Sequence, residues 1–402
     1  MKRHSGGKFG PMLKIAAALL AATALYLLFW PTGMAPVAWT PPPAPALEGV
    51  YAYNEKLKGI QKLAVGAGVG PEGIHVDSYG RLYAGFGDGR VVLLFDNGAS
   101  YMELTNTGGR PLGITSGPKG GLIIADAKKG LLYFWRKIRP LVTEADGAPL
   151  GFTDDADFSE GDRESVYFTD ASSKFGYGRQ MKDFLEHGAN GRLLQYDVAT
   201  KETRVLMKGL HFANGVALGP DDAYVLVNET GEYRILRYWL KGEKAGTHDV
   251  FIDNLPGFPD NLSYNGRDKF WVALYAPRNA LLDELLPGGP FMRHLVARLP
   301  AFLQPRPNMH SFVLGVDLDG KVVANLQYEG SDAYAPITSV REFGPWLYFG
   351  SLGYPAIGRL PLIQAVPGSP APPAGWEQVP TAEEKPNPLS ERERRGGKAD
   401  RG

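Results

Sequence analysis

The chain of 402 residues contains no cysteine. Disulfides and thiol chemistry are therefore excluded, and cysteine usage says nothing about compartment. Net charge is also missing, since 43 basic residues balance 43 acidic ones. No global field marks the chain as a nucleic-acid binder. G-x-x-x-x-G-K-S/T, G-x-S-x-G and H-E-x-x-H are absent. A P-loop, a nucleophile elbow and a zinc-protease helix drop out with them. What is plentiful is glycine (51), proline (32) and aromatic side chains (11%). Many turns and many aromatics favour an all-β chain of short strands.

The first 14 residues carry Lys2, Arg3, Lys8 and Lys14 and no acid. An uncharged run, IAAALLAATALYLLFW, follows from Ile15 to Trp30 and stops at Pro31. At 1.5 Å per residue such a run reaches roughly 24 Å, a little short of a ~30 Å hydrocarbon core. Met12, Leu13 and a snorkelling Lys14 extend it, and Trp30 and Trp39 suit an interface belt. This is read as a membrane anchor over residues 15–30. The positive-inside rule puts segment 1–14 in the cytoplasm and the rest on the extracytoplasmic side, in a periplasm or lumen. The competing reading is a cleaved signal peptide with a small-x-small site at Gly33-Met34-Ala35. A Pro-rich stretch, residues 31–49, reads as an extended, semi-rigid linker. Residues 367–402 are dominated by charge at their end and read as a disordered tail. The folded domain is then 50–366.

Within that domain one pattern recurs. A small residue opens an apolar-alternating half, a Gly/Asp turn follows, and an apolar strand closes on a small or acidic residue. The copies are GIHVDSYGRLYAG from Gly73, GITSGPKGGLIIADA from Gly113, ADFSEGDRESVYFTDA from Ala156, GVALGPDDAYVLVNET from Gly215, NLSYNGRDKFWVALYA from Asn261 and ITSVREFGPWLYFGSL from Ile337. Each reads as a hairpin. Six such copies predict a six-bladed β-propeller, in which stacking buries both faces of every blade and closure removes edges. The stretch before the first copy, GVYAYNEKLKGIQKLAV, is placed to close the ring with the last blade. A β-sandwich with an extra domain is the alternative. One segment, Asn279 to Pro307, has helical patterning and interrupts blade five. It reads as an insertion packed on the propeller, a lid over the centre, or a patch against the bilayer.

In a propeller the innermost strands begin at one face and line the axis. The residues ahead of each copy are Glu72, Leu112, Asp154 with Asp155, Asn214, Asp260 with Asn261, and Thr338. Asn and Asp favour turns on their own account. Oxygen-bearing side chains at one phase of four blades also suit one central calcium ion, which takes six to eight oxygen ligands. Without a cation, carboxylates held this close would repel and be costly to desolvate.

GPEG, GRPLGI, YFTDASSKF, FANGVALGPD and PGFPDN together resemble the strictosidine synthase-like family, and in particular its membrane-anchored branch. The resemblance runs over about residues 50–362. The wider superfamily includes gluconolactonases, paraoxonases and other calcium-dependent hydrolases. The resemblance implies calcium ligands at Glu72, Asn214 and Asp260, and by the paraoxonase pattern at Asn261. Asp154 stands where relatives usually carry Asn and adds negative charge. The positions of the paraoxonase histidine pair fall on Leu112 and near Ala127. The blade-six glutamate of strictosidine synthase falls near Thr338, with Glu342 past the channel. Three functions remain open at this level. One is a calcium-dependent hydrolase of lactones or esters, with Asp260 as general base and Leu112, Phe152, Phe212, Phe258 and Thr338 shaping a small-molecule pocket. The second is a non-catalytic binding propeller with a structural calcium. The third is condensation of the strictosidine kind, which lacks its glutamate here.

Overall fold

The computed structural model describes residues 9–161, 164–305, 307–374 and 383–384. The expected tail falls largely outside them, as does most of the expected basic N-terminal segment, residues 1–14. Helix α1 (Phe9–Phe29) contains a stretch, Pro11–Phe29, long and apolar enough to cross a membrane, and none of it is buried against the rest of the chain. It begins six residues before the uncharged run expected from sequence, taking in Lys14. It ends one residue before Trp30, because Pro31 disfavours helical backbone at the residue ahead of it.

The domain that follows is a six-bladed propeller of antiparallel sheets. The innermost strands are Ile74–Val76, Pro111–Ser116, Thr153–Ser159, Ala213–Leu218, Gly257–Tyr264 and Ser339–Phe343. In blades one to five the four strands follow one another along the chain. Blade one gains a short parallel outer strand from Glu383–Glu384. Blade six is completed by Gln61–Leu63, which pairs antiparallel with Ile357–Pro361. The ring is thus closed by a strand from the domain's own start, as its sequence position suggested.

Blades adhere through apolar layers. Phe270, Phe312, Val272 and Leu226 are wholly buried between blades four and five. Trp271, Leu326, Leu347 and Phe349 do the same between five and six. Each such side chain contributes about 1.5–3 kcal/mol relative to exposure. Near the axis the inner strands come closer still, and glycine permits it. A Cβ on Gly73 would sit 1.5 Å from the Leu112 carbonyl oxygen, and one on Gly215 would sit 2.6 Å from the Asp260 carbonyl oxygen.

Three helices and a strap cover one end of the ring. Helix α2 (Gln180–Glu186) lies between the second and third strands of blade three. Its Met181, Phe184 and Leu185 follow helical spacing, but seven residues are too few for that spacing to stand out in sequence. Helices α3 (Ala280–Leu285) and α4 (Pro290–Arg298) form the insertion in blade five, between strands Lys269–Pro277 and Ser311–Asp317. The strap is the Pro-rich stretch after α1. It is extended, but it does not stand free. Val37 N donates to Glu186 O (2.8 Å) and Trp39 N to Leu286 O (3.1 Å). Its carbonyls accept from Arg293 (Val37 O, 2.8 Å), Arg278 (Pro42 O, 2.8 Å) and Asn254 (Pro43 O, 3.1 Å). Prolines cannot donate, so the domain meets them with arginine and amide donors.

Candidate functional site

The inner strands carry register shifts between Pro111 and Gly113, Thr153 and Ala156, Ala213 and Val216, and Pro259 and Leu262. A bulge takes its residues out of the ladder and re-aims their side chains. The residues so released are Leu112, Asp154 with Asp155, Asn214, and Asp260 with Asn261. The repeat's phase is thus a backbone feature. Asp260 and Asn261 lie inside the strand Gly257–Tyr264, and not ahead of it as the turn-rich sequence suggested.

Glu72, Asp154, Asn214 and Asp260 are all buried, and all line one cavity of about 250 Å³. Asn261 is also buried but lies behind them: its Nδ2 donates to Glu72 Oε1 at 3.0 Å. The Asn214 amide hydrogen-bonds to the Asp260 carboxylate. Burial raises the pKa of Glu72, Asp154 and Asp260 well above the ordinary carboxylate range, and for Glu72 and Asp154 the nearby Asp260 raises it further. Arg110, almost wholly buried, is the cation that opposes this, and its Nη1 is spent on Gly70 O (2.8 Å).

Three buried oxygens in this group have no hydrogen-bond partner among the described residues: Glu72 Oε2, Asn214 Oδ1 and Asn261 Oδ1. Such atoms cost roughly 1–3 kcal/mol each when left unpaired. An all-oxygen set with this much negative charge fits a hard cation such as calcium. It does not resemble the nitrogen and sulfur sets that zinc prefers.

The backbones of Asn214, Asp260 and Glu72 are each held from a neighbouring blade. Thr169 Oγ1 donates to Asn214 O (2.5 Å), Asn228 Nδ2 to Asp260 O, and Ser339 Oγ to Glu72 O (2.5 Å). Thr169 and Asn228 escaped the sequence reading. Their signal is a polar residue near the end of an otherwise apolar second strand, SVYFTD and YVLVNE.

The cavity wall is apolar. Leu112, Phe152, Phe212 and Phe258 line it, where they were expected. Phe184 of α2 packs on Phe212 at 4.8 Å between ring centroids, and Leu282 and Leu285 of α3 add to the wall. Thr338, expected there, is not part of it. Its Oγ1 turns to Glu72 O (3.3 Å) and its carbonyl accepts from Asn261 N (2.9 Å). Leu352 fills the wall on the blade-six side. Glu342 faces elsewhere, accepting from Trp271 Nε1 at 2.6 Å. Leu112 and Ala127 are both buried in the apolar cluster with Phe152 and Phe212. Tyr275, unforeseen from sequence, also lines the cavity. Burial and the nearby Asp260 push its pKa up to about 12, so its hydroxyl remains a donor at neutral pH.

A second cluster lies at the C-terminal end of α2, where His187 is the cap residue. His187, His211 and Glu232 bring donor atoms within 4.8 Å of one another. The two imidazoles stack at 4.3 Å and 17°, and Trp39 of the strap stacks on His187 at 4.4 Å. Near-parallel rings cannot both point their in-plane lone pairs at one ion, and both rings already face Glu232 (3.2 and 3.3 Å). The cluster docks the strap.

Fold and floor together define a six-bladed propeller with an oxygen-lined axial site beneath an apolar cavity. Strictosidine synthase matches over residues 155–243, and the strictosidine synthase-like N-terminal region over 49–94. Protein STRICTOSIDINE SYNTHASE-LIKE 6 of Arabidopsis thaliana is 38% identical over 322 residues, covering 77% of this chain and 84% of that protein. Adipocyte plasma membrane-associated protein of Bos taurus is 34% identical over 393 residues, covering 89% and 92%. The chain belongs to the strictosidine synthase-like family. Among solved structures, a gluconolactonase from Xanthomonas campestris superposes with a TM-score of 0.54 at 14% identity, covering 82% of this chain and 98% of that one. That likeness is one of fold.

Proposed function

We propose that this protein is a membrane-anchored, calcium-dependent hydrolase of lactones or esters, with α1 as the anchor and the propeller on the extracytoplasmic side. The observation that carries the reading is the set of unpartnered buried oxygens on Glu72, Asn214 and Asn261, beside the carboxylates of Asp154 and Asp260, at the base of an apolar cavity. Glu72, Asp154, Asn214 and Asp260 would hold the ion, with Asn261 orienting Glu72. When bound, calcium supplies Lewis-acid polarisation of a carbonyl. Asp260 would carry the proton transfer: deprotonated when the ion compensates its charge, it is a base facing the cavity. The Tyr275 hydroxyl donates a hydrogen bond into the same space. Phe152, Phe212 and Phe258 bind the apolar part of the substrate and exclude water.

The test is a panel of lactones and aryl esters with added calcium, alongside thermal unfolding with chelator. Turnover that Asp260→Asn abolishes while the fold persists supports the hydrolase. No turnover on any member, with no loss of stability in chelator, sinks it. One observation favours a second reading, a binding propeller with a structural calcium. Among the described residues no histidine lines the cavity, and Leu112 and Ala127 stand where the paraoxonase resemblance puts a histidine pair. Under that reading Asp260→Asn changes stability alone.

A further inference from the structure

The insertion meets the end of α1 through one face of α4. His294 Nδ1 pairs with Thr32 Oγ1 at 2.7 Å. Arg298 donates through Nε to Trp30 O (2.7 Å) and through Nη1 to Leu27 O (2.9 Å). These carbonyls lie at the C-terminal end of α1, where a helix leaves acceptors unpaired and where its dipole favours a cation. Positions 291, 294 and 298 share one face of α4 by helical spacing. Phe291 therefore lies on the face that meets α1, and it is 56% exposed. Exposed apolar side chains recur through the same insertion and just beyond it: Met292 (48%), Phe302 (69%), Leu303 (57%) and Met309 (59%). So many on one short segment exceed the scattered singles of an ordinary surface.

We infer that the insertion is a bilayer-contact surface, seated in the headgroup region beside the end of α1 with Phe291 and Phe302 in the lipid. This rests on reading α1 as a membrane span. The depth follows from that reading. The last turn of a spanning helix lies at the interface, and α4 is hydrogen-bonded to it. The occupant follows from continuity, since the same bilayer that surrounds α1 must pass the face of α4 fastened to its end. Amphipathic helices bind interfaces in this way, apolar side down and arginine at headgroup level. The insertion also supplies Leu282 and Leu285 to the cavity wall, so the apolar cavity is brought close to the lipid phase.

The chain lacks cysteine, so single-cysteine variants of the full chain carry one label each. Leu19→Cys, Phe291→Cys, Phe302→Cys and Val323→Cys are labelled with a polarity-sensitive fluorophore and reconstituted in phosphatidylcholine–phosphatidylglycerol vesicles. Leu19 is an exposed position in α1, and Val323 is an exposed position on the outer strand of blade five, at the end remote from the insertion. The expected result is quenching of the 291 and 302 labels by shallow nitroxide lipids, with several-fold protection from aqueous iodide relative to 323. If the Leu19 label is quenched by nitroxide lipid but 291 and 302 behave like 323, the contact is overturned and the anchor stands. If the Leu19 label is not quenched by lipid, the anchor reading falls and this inference with it.

Discussion

Asn261 of blade five donates to Glu72 Oε1 of blade one at 3.0 Å, although blade six lies between the two in the ring. The bond occupies one oxygen of the carboxylate and leaves Glu72 Oε2 and Asn261 Oδ1 unpartnered. A hydrogen bond between two side chains that each keep a free acceptor positions oxygens for a third party. Asn261→Ala removes the donor and strands Glu72 Oε1. We expect a loss of about 1–3 kcal/mol in the metal-free protein and weaker calcium binding. Thermal unfolding with and without calcium reads both.

Gly215→Ala tests the close approach of the inner strands. The added Cβ would meet the Asn261 Cα and the Asp260 carbonyl oxygen, both at 2.6 Å. Backbone atoms cannot turn aside as a flexible side chain can, so blades four and five must separate. Overpacking of this kind costs about 1–3 kcal/mol. The shift also moves Asn214 relative to Asp260, so calcium affinity should fall alongside the melting temperature. An unchanged affinity in a titration would show that the floor tolerates the displacement.

Asp154→Asn separates the cost of charge from the use of charge. In the metal-free protein Asp154 is buried, and Asp260 raises its pKa further. A neutral amide should therefore raise metal-free stability. The same change removes a ligand charge and should weaken calcium binding. At free calcium about 100 times Kd, binding stabilises the native protein by about 2.7 kcal/mol, so the variant should gain less at any given calcium concentration. Calorimetric melting in chelator and in a calcium series gives both signs from one pair of proteins.

The propeller was legible because each hairpin repeats its punctuation, and the ring because the repeat count and the unpaired first strand agree. The oxygen positions were legible for the same reason: GPEG, FANG and FPDN occupy one phase. Thr338 was misplaced because phase gives the residue but not its direction. The inner strand of blade six pairs in continuous register, with no shift to re-aim a side chain, and Thr338 turns to the Glu72 backbone instead. Helix α2 was hidden by its shortness. The docking of the strap was hidden because proline composition reports chain stiffness and is silent about the arginines that will meet it.

The pH dependence follows from the same buried carboxylates. Asp155 accepts from Val216 N (3.1 Å) and Ala156 N (2.9 Å), yet burial pushes its pKa up from 3.8 to about 7. Between those values the folded protein holds a proton that the unfolded chain has released. The unfolded state binds fewer protons, so stability falls as pH rises through this window, by at most about 1.4 kcal/mol per pH unit for one group. Glu72, Asp154 and Asp260 are raised too and act with the same sign. His75 acts oppositely. Its folded pKa is lowered from 6.5 to about 3, so its contribution grows as pH rises over that range. The Asp155 contribution is therefore read as wild type minus Asp155→Asn, both in chelator, from about pH 5 to about pH 8. The wild type should lose stability relative to the variant up to about pH 7 and run parallel to it above. With calcium present, binding to Glu72, Asp154 and Asp260 must expel their protons, so the stabilisation that calcium adds should grow with pH. A calcium increment that stayed flat across the range would mean that the ion does not bind at these carboxylates.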